Sequence, residues 1–534
     1  MRGTKDRGNR SPSLAVLSLA LSLAAAPAAF ADSVIRYVPD ADLRVLDPIF
    51  TTAGTTLNHG YMIYDFLLAP DAKMDPRPQM LESYEASPDG LVYRFKLRPG
   101  MKWHDGTPVE AKDAVASLKR WGIKVPAGQD PFQHVSDVVA TGPLAFEIRM
   151  KDRFAPLIAS VTEPINPPFI MREKDALTDP NTAFTEAVGS GPFAFVKEEW
   201  VPGSKVVYRK NAAYVPRSEP AEHLAGGKVV KVDRVEWRIL PDANTAAQAL
   251  GSGEVDYLEN PNIDLLATLR GNPNVVIQVV NPLGYQMIMR PNHLIQPFNN
   301  PKVRQALLYA VDQDAYLTAA VGDASLRKPC WAIFICGSPL ETKIGLGDWT
   351  AAGAKRDKAR QLLKEAGYAN EPVVVMVPTD QTVIGAISQM TVQTLKEVGF
   401  NVEAQSMDWS TLISRRPIKD SPATNRGGWN IFHTTGFAMS LSNPVGNSFV
   451  ATPCDGKNWF GWPCDDELDR IRRSFVDAET NEARRAIAER FQARFSESVQ
   501  LVPLGQYVQP VAYRSNLSGV LLGSRIVLWN VEKR

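Results

Sequence analysis

The chain is 534 residues long, with 59 Lys and Arg against 58 Asp and Glu and a formal charge of +1. That balance argues against a nucleic-acid or polybasic membrane binder, and 44% hydrophobic and 22% charged residues argue against a disordered chain. The length allows roughly three domain-sized cores.

Arg2, Lys5, Arg7 and Arg10 precede an apolar run at 14–26 and the triplet Ala29-Phe30-Ala31. This order reads as a secretory signal cleaved after Ala31, too short to span a membrane. Removing residues 1–31 takes away four basic residues and one acidic one, leaving 55 against 57 and a formal charge of −2.

A strand at 34–37 leads to a helical run at 57–68. Residues 71–187 are rich in turns, marked by Asp89-Gly90, Pro99-Gly100 and Asp105-Gly106. Within them Tyr93, Phe95 and Leu97 alternate with polar residues, which predicts a strand with one apolar face. Ala114, Val115, Leu118 and Trp121 form a helical stripe, and 144–150 alternates again. Asp242 is placed to cap a short helix that Gly251 would end. Residues 283–292 read as an apolar strand, and Asn300-Pro301 as the start of a helix. A strand at 373–377, a helix at 384–398 and a strand at 401–405 make a βαβ unit, hence a mixed or parallel sheet. Residues 465–499 are mostly helical and 501–513 return to strand character.

The cysteines form two local pairs, Cys330/Cys336 and Cys454/Cys464. In an exported protein both suit short-loop disulfides, whereas a metal site would ask for CxxC spacing or an adjacent His. HExxH, GxSxG, Walker A and GxGxxG motifs are missing. No catalytic residue, cofactor or metal is therefore expected. Trp103-His104-Asp105-Gly106 reads as a turn with a satisfied His, not as a catalytic pair.

The run SPDG…Y.F.LRPG.KWHDGTP…KDAV within 83–121 closely resembles the signature of the peptide/nickel-binding family (family 5) of extracellular solute-binding proteins, the capture components of bacterial ABC importers. The segments GSGPF…W.PGS.V.Y.KN at 189–211, DANTAAQALGSGEVDY at 242–257 and PFNNPKVRQALLYAVDQDAYL at 297–317 resemble it too. The resemblance implies an α/β, two-lobed periplasmic-binding-protein fold with a hinge of two crossing strands. Lobe I would comprise 32–70, 189–282 and 500–534 and carry an additional subdomain at 71–188; lobe II would be 283–499. It also implies a monomeric periplasmic protein that captures a peptide or related small polar solute and delivers it to an inner-membrane permease and its ATPase. A Cys454–Cys464 bridge is favoured on the same ground. A secreted peptide hydrolase, or a chaperone-like or sensory protein on the same fold, is the rival reading.

The resemblance places the ligand wall in Ser406-Met407-Asp408-Trp409 and in 429–447. In peptide-binding relatives the second string reads G-W-x-x-D, and that Asp pairs with the peptide's α-ammonium. Here Gly436 is kept, Phe437 stands in the Trp place, and Ser440 stands in the Asp place. A buried ammonium would lose its charged partner. Either Asp408 serves instead or the ligand has no free N-terminal ammonium, as in modified peptides or opine-like compounds. Trp409, Phe437 and the adaptable Met439 are expected ligand contacts. Tyr285 and Tyr507 are expected on the two hinge strands, and Thr55, Thr56 and Asn58 on a loop that often reaches the cleft in relatives. No group of His falls in these strings, so nickel is not expected.

Overall fold

The computed structural model describes residues 33–534 except 52, 73, 446, 457 and 479, and of the preceding residues only 1, 3, 4 and 8. The apolar stretch and cleavage site of the expected signal lie outside the described residues.

Among the described residues, three sheets have four or more strands. In the seven-stranded sheet, Val34–Val38 is central. It runs parallel to Arg234–Arg238 on one side and to Tyr257–Leu258 on the other. Val511–Arg514 pairs with Tyr257–Leu258, and Val275–Gln278 with Val511–Arg514. Tyr37, Tyr208, Trp237, Tyr257 and Trp529 fill the core on this sheet. In the six-stranded sheet, Tyr285–Pro291 lies between Ile431–Phe437 and Val502–Tyr507. The expected βαβ unit is present as Pro372–Pro378, helix Thr382–Val398 and Asn401–Met407, the two strands parallel. Met287, Val375, Leu395 and Leu504 lie in the core of this second sheet.

The four-stranded antiparallel sheet contains Val92–Leu97, whose Tyr93, Phe95 and Leu97 point inward as the alternation predicts. Helix Ala111–Lys124 packs Ala114, Leu118 and Trp121 inward and opens with a capping box between Glu110 and Asp113. Beside it, His104 is a part-buried, hydrogen-bonded residue. Its ring bonds to the Gly191 carbonyl and accepts from the Gly189 N–H, and burial pushes it down to about 4. Asp105 pairs with Arg172 at 3.0 Å.

Some boundaries differ from expectation. The first helix, Gly54–Ile63, stops before 68, because Asp65–Phe66 pairs with Phe169–Ile170 instead. Asp242 caps Ala243–Ser252 through the Thr245 N–H, but the left-handed residue that ends it is Gly253, not Gly251. The strand-like stretch 501–513 holds two strands in different sheets, Val502–Tyr507 in the six-stranded and Val511–Arg514 in the seven-stranded. Residues 502–507 therefore pair with the sheet built from the 283–499 segment.

The chain crosses between these sheets twice, between Gln278 and Tyr285 and between Tyr507 and Val511. Gly284 sits at the first crossing with φ +64°, where an added Cβ would come 2.0 Å from the Tyr507 carbonyl oxygen. Only glycine takes that position without strain. Both cysteine pairs are bridged, at S–S distances of 2.10 Å for Cys330–Cys336 and 2.05 Å for Cys454–Cys464. The first bridge is tied to the central strands. Gln286 donates to the Cys330 carbonyl, and the Cys336 N–H donates to Gln506.

Candidate functional site

A cavity of about 240 Å³ lies where the chain crosses between the two sheets. Val280, Asn281, Gln509 and Val511, from the crossings themselves, form part of its lining.

One wall is aromatic and comes from the six-stranded sheet. Register places Tyr285 directly opposite both Phe437 and Tyr507 on its neighbouring strands. Their rings touch in a row, with centroids 4.8 Å apart for Tyr285–Phe437 and 5.3 Å for the stacked Tyr285–Tyr507 pair. Rings at this spacing present a continuous apolar surface with two hydroxyl handles. Burial pushes the Tyr285 hydroxyl up to about 12 and raises Tyr507 as well, so both stay protonated at neutral pH.

The facing wall is polar and comes from the seven-stranded sheet. Asp40 follows the strand Val34–Val38, and Glu259 follows its parallel neighbour Tyr257–Leu258. Both carboxylates therefore project from the carboxyl ends of parallel strands, the edge where open α/β sheets bind ligands. Glu259 accepts from the Asp40 N–H at 2.9 Å and from the Asn58 side-chain amide at 2.7 Å. Burial and the nearby Asp40 push its carboxyl up, while bonds from Tyr37, Asp40 and Asn58 pull it down. Asn260 donates to Asp40 at 2.7 Å. Thr55 and Asn58 reach the cavity from helix Gly54–Ile63.

Gly523–Ile526 supply the remaining rim. Arg525 is 6% exposed and its guanidinium lies 4.9 Å above the Phe437 ring. It donates to the Ile165 carbonyl at 2.7 Å, and its Nε, also buried, has no hydrogen-bond partner. Burial lowers its pKa, against the pull of Tyr61, Tyr285, Glu259 and Glu163.

Of the residues expected from sequence, Tyr285, Phe437, Tyr507, Thr55 and Asn58 line this cavity together. Thr56 turns away and donates to the Val45 carbonyl. Met439 and Ser440 lie in the short 3-10 turn Met439–Leu441 just after Phe437 and are not among the lining residues. Asp408 and Trp409 are elsewhere. Asp408 caps helix Trp409–Arg415, accepting from the Thr411 N–H at 2.9 Å and the Thr411 hydroxyl at 2.6 Å. Trp409 packs with Leu412, Trp429, Phe432 and Trp462, with the Arg416 guanidinium 5.8 Å from its ring. Asp408, considered as a substitute ammonium partner, serves as the N-cap of this helix, a standard use of Asp at that position.

Sequence reasoning missed Asp40, Glu259, Asn260, Gln509 and Arg525. The two acids carry a usable signal, since each comes one or two residues after an apolar strand. Arg525 carries none, because its segment has no periodicity.

Two α/β sheets joined by two crossings, with a cavity between an aromatic and a polar wall, define a two-lobed binding protein. The sequence matches the model of bacterial extracellular solute-binding proteins, family 5 Middle, over residues 75–449. It is 39% identical to the probable peptide ABC transporter periplasmic-binding protein y4tO of Sinorhizobium fredii over 97% of each chain. It is 28% identical to the glutathione-binding protein GsiB of Escherichia coli over 74% of this chain and 73% of that one. Among solved structures, the PBP AgaA of A. tumefaciens R10 in complex with agropinic acid superposes with a TM-score of 0.76 at 21% identity, over 94% of this chain and 99% of that one. The chain belongs to the family 5 extracellular solute-binding proteins. Among the described residues no helix is long and apolar enough to cross a membrane.

Proposed function

We propose that this protein is the periplasmic substrate-binding component of an ABC importer, capturing a peptide or related small polar solute for a membrane permease and its ATPase. The observation that carries this reading is the cavity at the crossings, lined from both sheets at once. A ligand there touches both lobes, so closure about the crossings buries it and opening releases it. The similarity to a peptide ABC transporter periplasmic-binding protein and to a glutathione-binding protein supports the same solute class.

Export follows from the N-terminal segment, with cleavage after Ala31 to leave a mature chain starting at Asp32. Binding and release need no covalent chemistry, so the protein acts without turnover; it is expected to work as a monomer. Mass spectrometry of solute released by denaturing the purified protein tests the reading. Stoichiometric recovery of one small polar compound, with thermal stabilisation when it is added back, is expected. Steady hydrolysis of a peptide library by the same preparation would overturn it in favour of a secreted hydrolase.

A further inference from the structure

We propose that Arg525 binds the carboxylate, and Glu259 with Asp40 the amine, of a zwitterionic solute of amino-acid to dipeptide size. The proposal rests on the capture reading above and adds the residues that choose the solute.

Arg525 points to a ligand because it makes no contact ion pair, although Glu259 and Glu163 act on it from farther off. It is 94% buried by its 6% exposure, and its only hydrogen bond to protein among the described residues is to the Ile165 carbonyl. Its Nε is buried without a partner, and no carboxylate of the described residues lies within ion-pair distance. Buried guanidinium groups are normally paired, and a planar fork with free N–H donors matches a carboxylate. The guanidinium lies over the Phe437 ring at the cavity wall.

Glu259 and Asp40 supply the opposite charge in the same cavity. Their hydrogen-bond partners are the Tyr37 hydroxyl, the Asp40 N–H and the Asn58 and Asn260 amides, with no Lys or Arg among them in the described residues. Two carboxylates sharing one partly enclosed site repel each other until a cation arrives. The volume of about 240 Å³ lies below the range of drug-sized pockets and holds a solute with few atoms beyond the two charged groups. The charged recognition thus sits on the lobe opposite the turn Met439–Leu441, and Ser440 need carry no charge.

The test uses the unaltered protein first. Amino acids and dipeptides are compared with their C-terminal amides and N-acetyl derivatives by calorimetry and thermal shift. The best ligand is expected to be a zwitterion, with amide and N-acetyl forms each at least tenfold weaker. Arg525→Gln is expected to weaken the zwitterion at least tenfold while leaving the amide where it stood, and Glu259→Gln to do the same with respect to the N-acetyl form. A best ligand lacking either charge overturns the proposal and leaves capture intact. So do variants that keep wild-type melting temperatures and bind the zwitterion within twofold of the original affinity. If no compound stabilises the protein and no solute co-purifies with it, the capture reading fails as well.

Discussion

The guanidinium of Arg525 lies 4.9 Å above the ring of Phe437, joining a loop packed on the seven-stranded sheet to the last residue of a strand in the six-stranded one. A cation over an aromatic face is worth about 0.5–2 kcal/mol, depending on desolvation. Phe437→Ala is therefore expected to weaken binding of the co-purified solute by roughly 2- to 30-fold, and Phe437→Trp to retain it, Trp being the strongest such face. Calorimetric titration of the two variants decides. Equal affinity in Phe437→Ala would show that the ring is only packing.

Ser440, which the family resemblance sets against an ammonium-binding Asp, lies outside the cavity lining. Ser440→Asp is expected to change affinity for simple dipeptides by less than twofold. A rise of tenfold or more would return the amine site to this turn and count against Glu259.

The two disulfides should separate stability from binding. Closing the loop of Cys454–Cys464, with a sequence separation of 10, is worth about 2–3 kcal/mol through the unfolded state. Replacing both cysteines by Ser should lower the melting temperature by a few degrees and leave affinity unchanged. The Cys330–Cys336 pair should cost affinity too. Its backbone holds Gln286 and Gln506, each next in sequence to one of the stacked tyrosines Tyr285 and Tyr507. Indistinguishable binding by the two double variants would contradict this.

Acid should act through buried histidines. His433 accepts and donates between the Ser388 and Thr391 hydroxyls, and burial pushes its pKa down to about 3. The unfolded value is about 6.5. The folded value lies below the unfolded one, so the neutral ring's contribution is intact above about pH 6.5 and is lost as pH falls toward 3. His59, also held down to about 3 by burial, adds in the same direction. Glu163 and Glu259, raised by burial, pull the other way. The clean readout is therefore a difference. The stability gap between wild type and His433→Gln should shrink by about 1.4 kcal/mol per pH unit between pH 6 and 4.5 in urea titrations. Parallel curves would mean that the ring is charged in the fold.

Local elements were legible where a short-range pattern decides them. The alternation of Tyr93, Phe95 and Leu97 is a strand because one face must be buried, and the βαβ unit at 372–407 shows its helix stop at Gly399. Partnering was not legible. Residues 501–513 look like one strand, but nothing local says that Tyr507 and Val511 belong to different sheets. The aromatic half of the site came through resemblance, because Tyr285, Phe437 and Tyr507 fall on recognisable strands. The charged half did not, because Arg525 lies in irregular backbone and Asp40 and Glu259, 219 residues apart, meet only when their strands pair in parallel. The Asp408–Thr411 spacing is a helix cap, readable as such in the sequence.

The seven-stranded sheet joins Val34–Val38 to Val511–Arg514 through Tyr257–Leu258, and Val275–Gln278 pairs in it only with Val511–Arg514. The six-stranded sheet likewise lacks a member until Val502–Tyr507 is made. Neither sheet can close until nearly the whole polypeptide is in hand, whatever the order in which helices form along the way. Contacts of such long sequence separation are slow to form. The cavity at the crossings is therefore complete only once Val502–Tyr507 and Val511–Arg514 have joined their sheets.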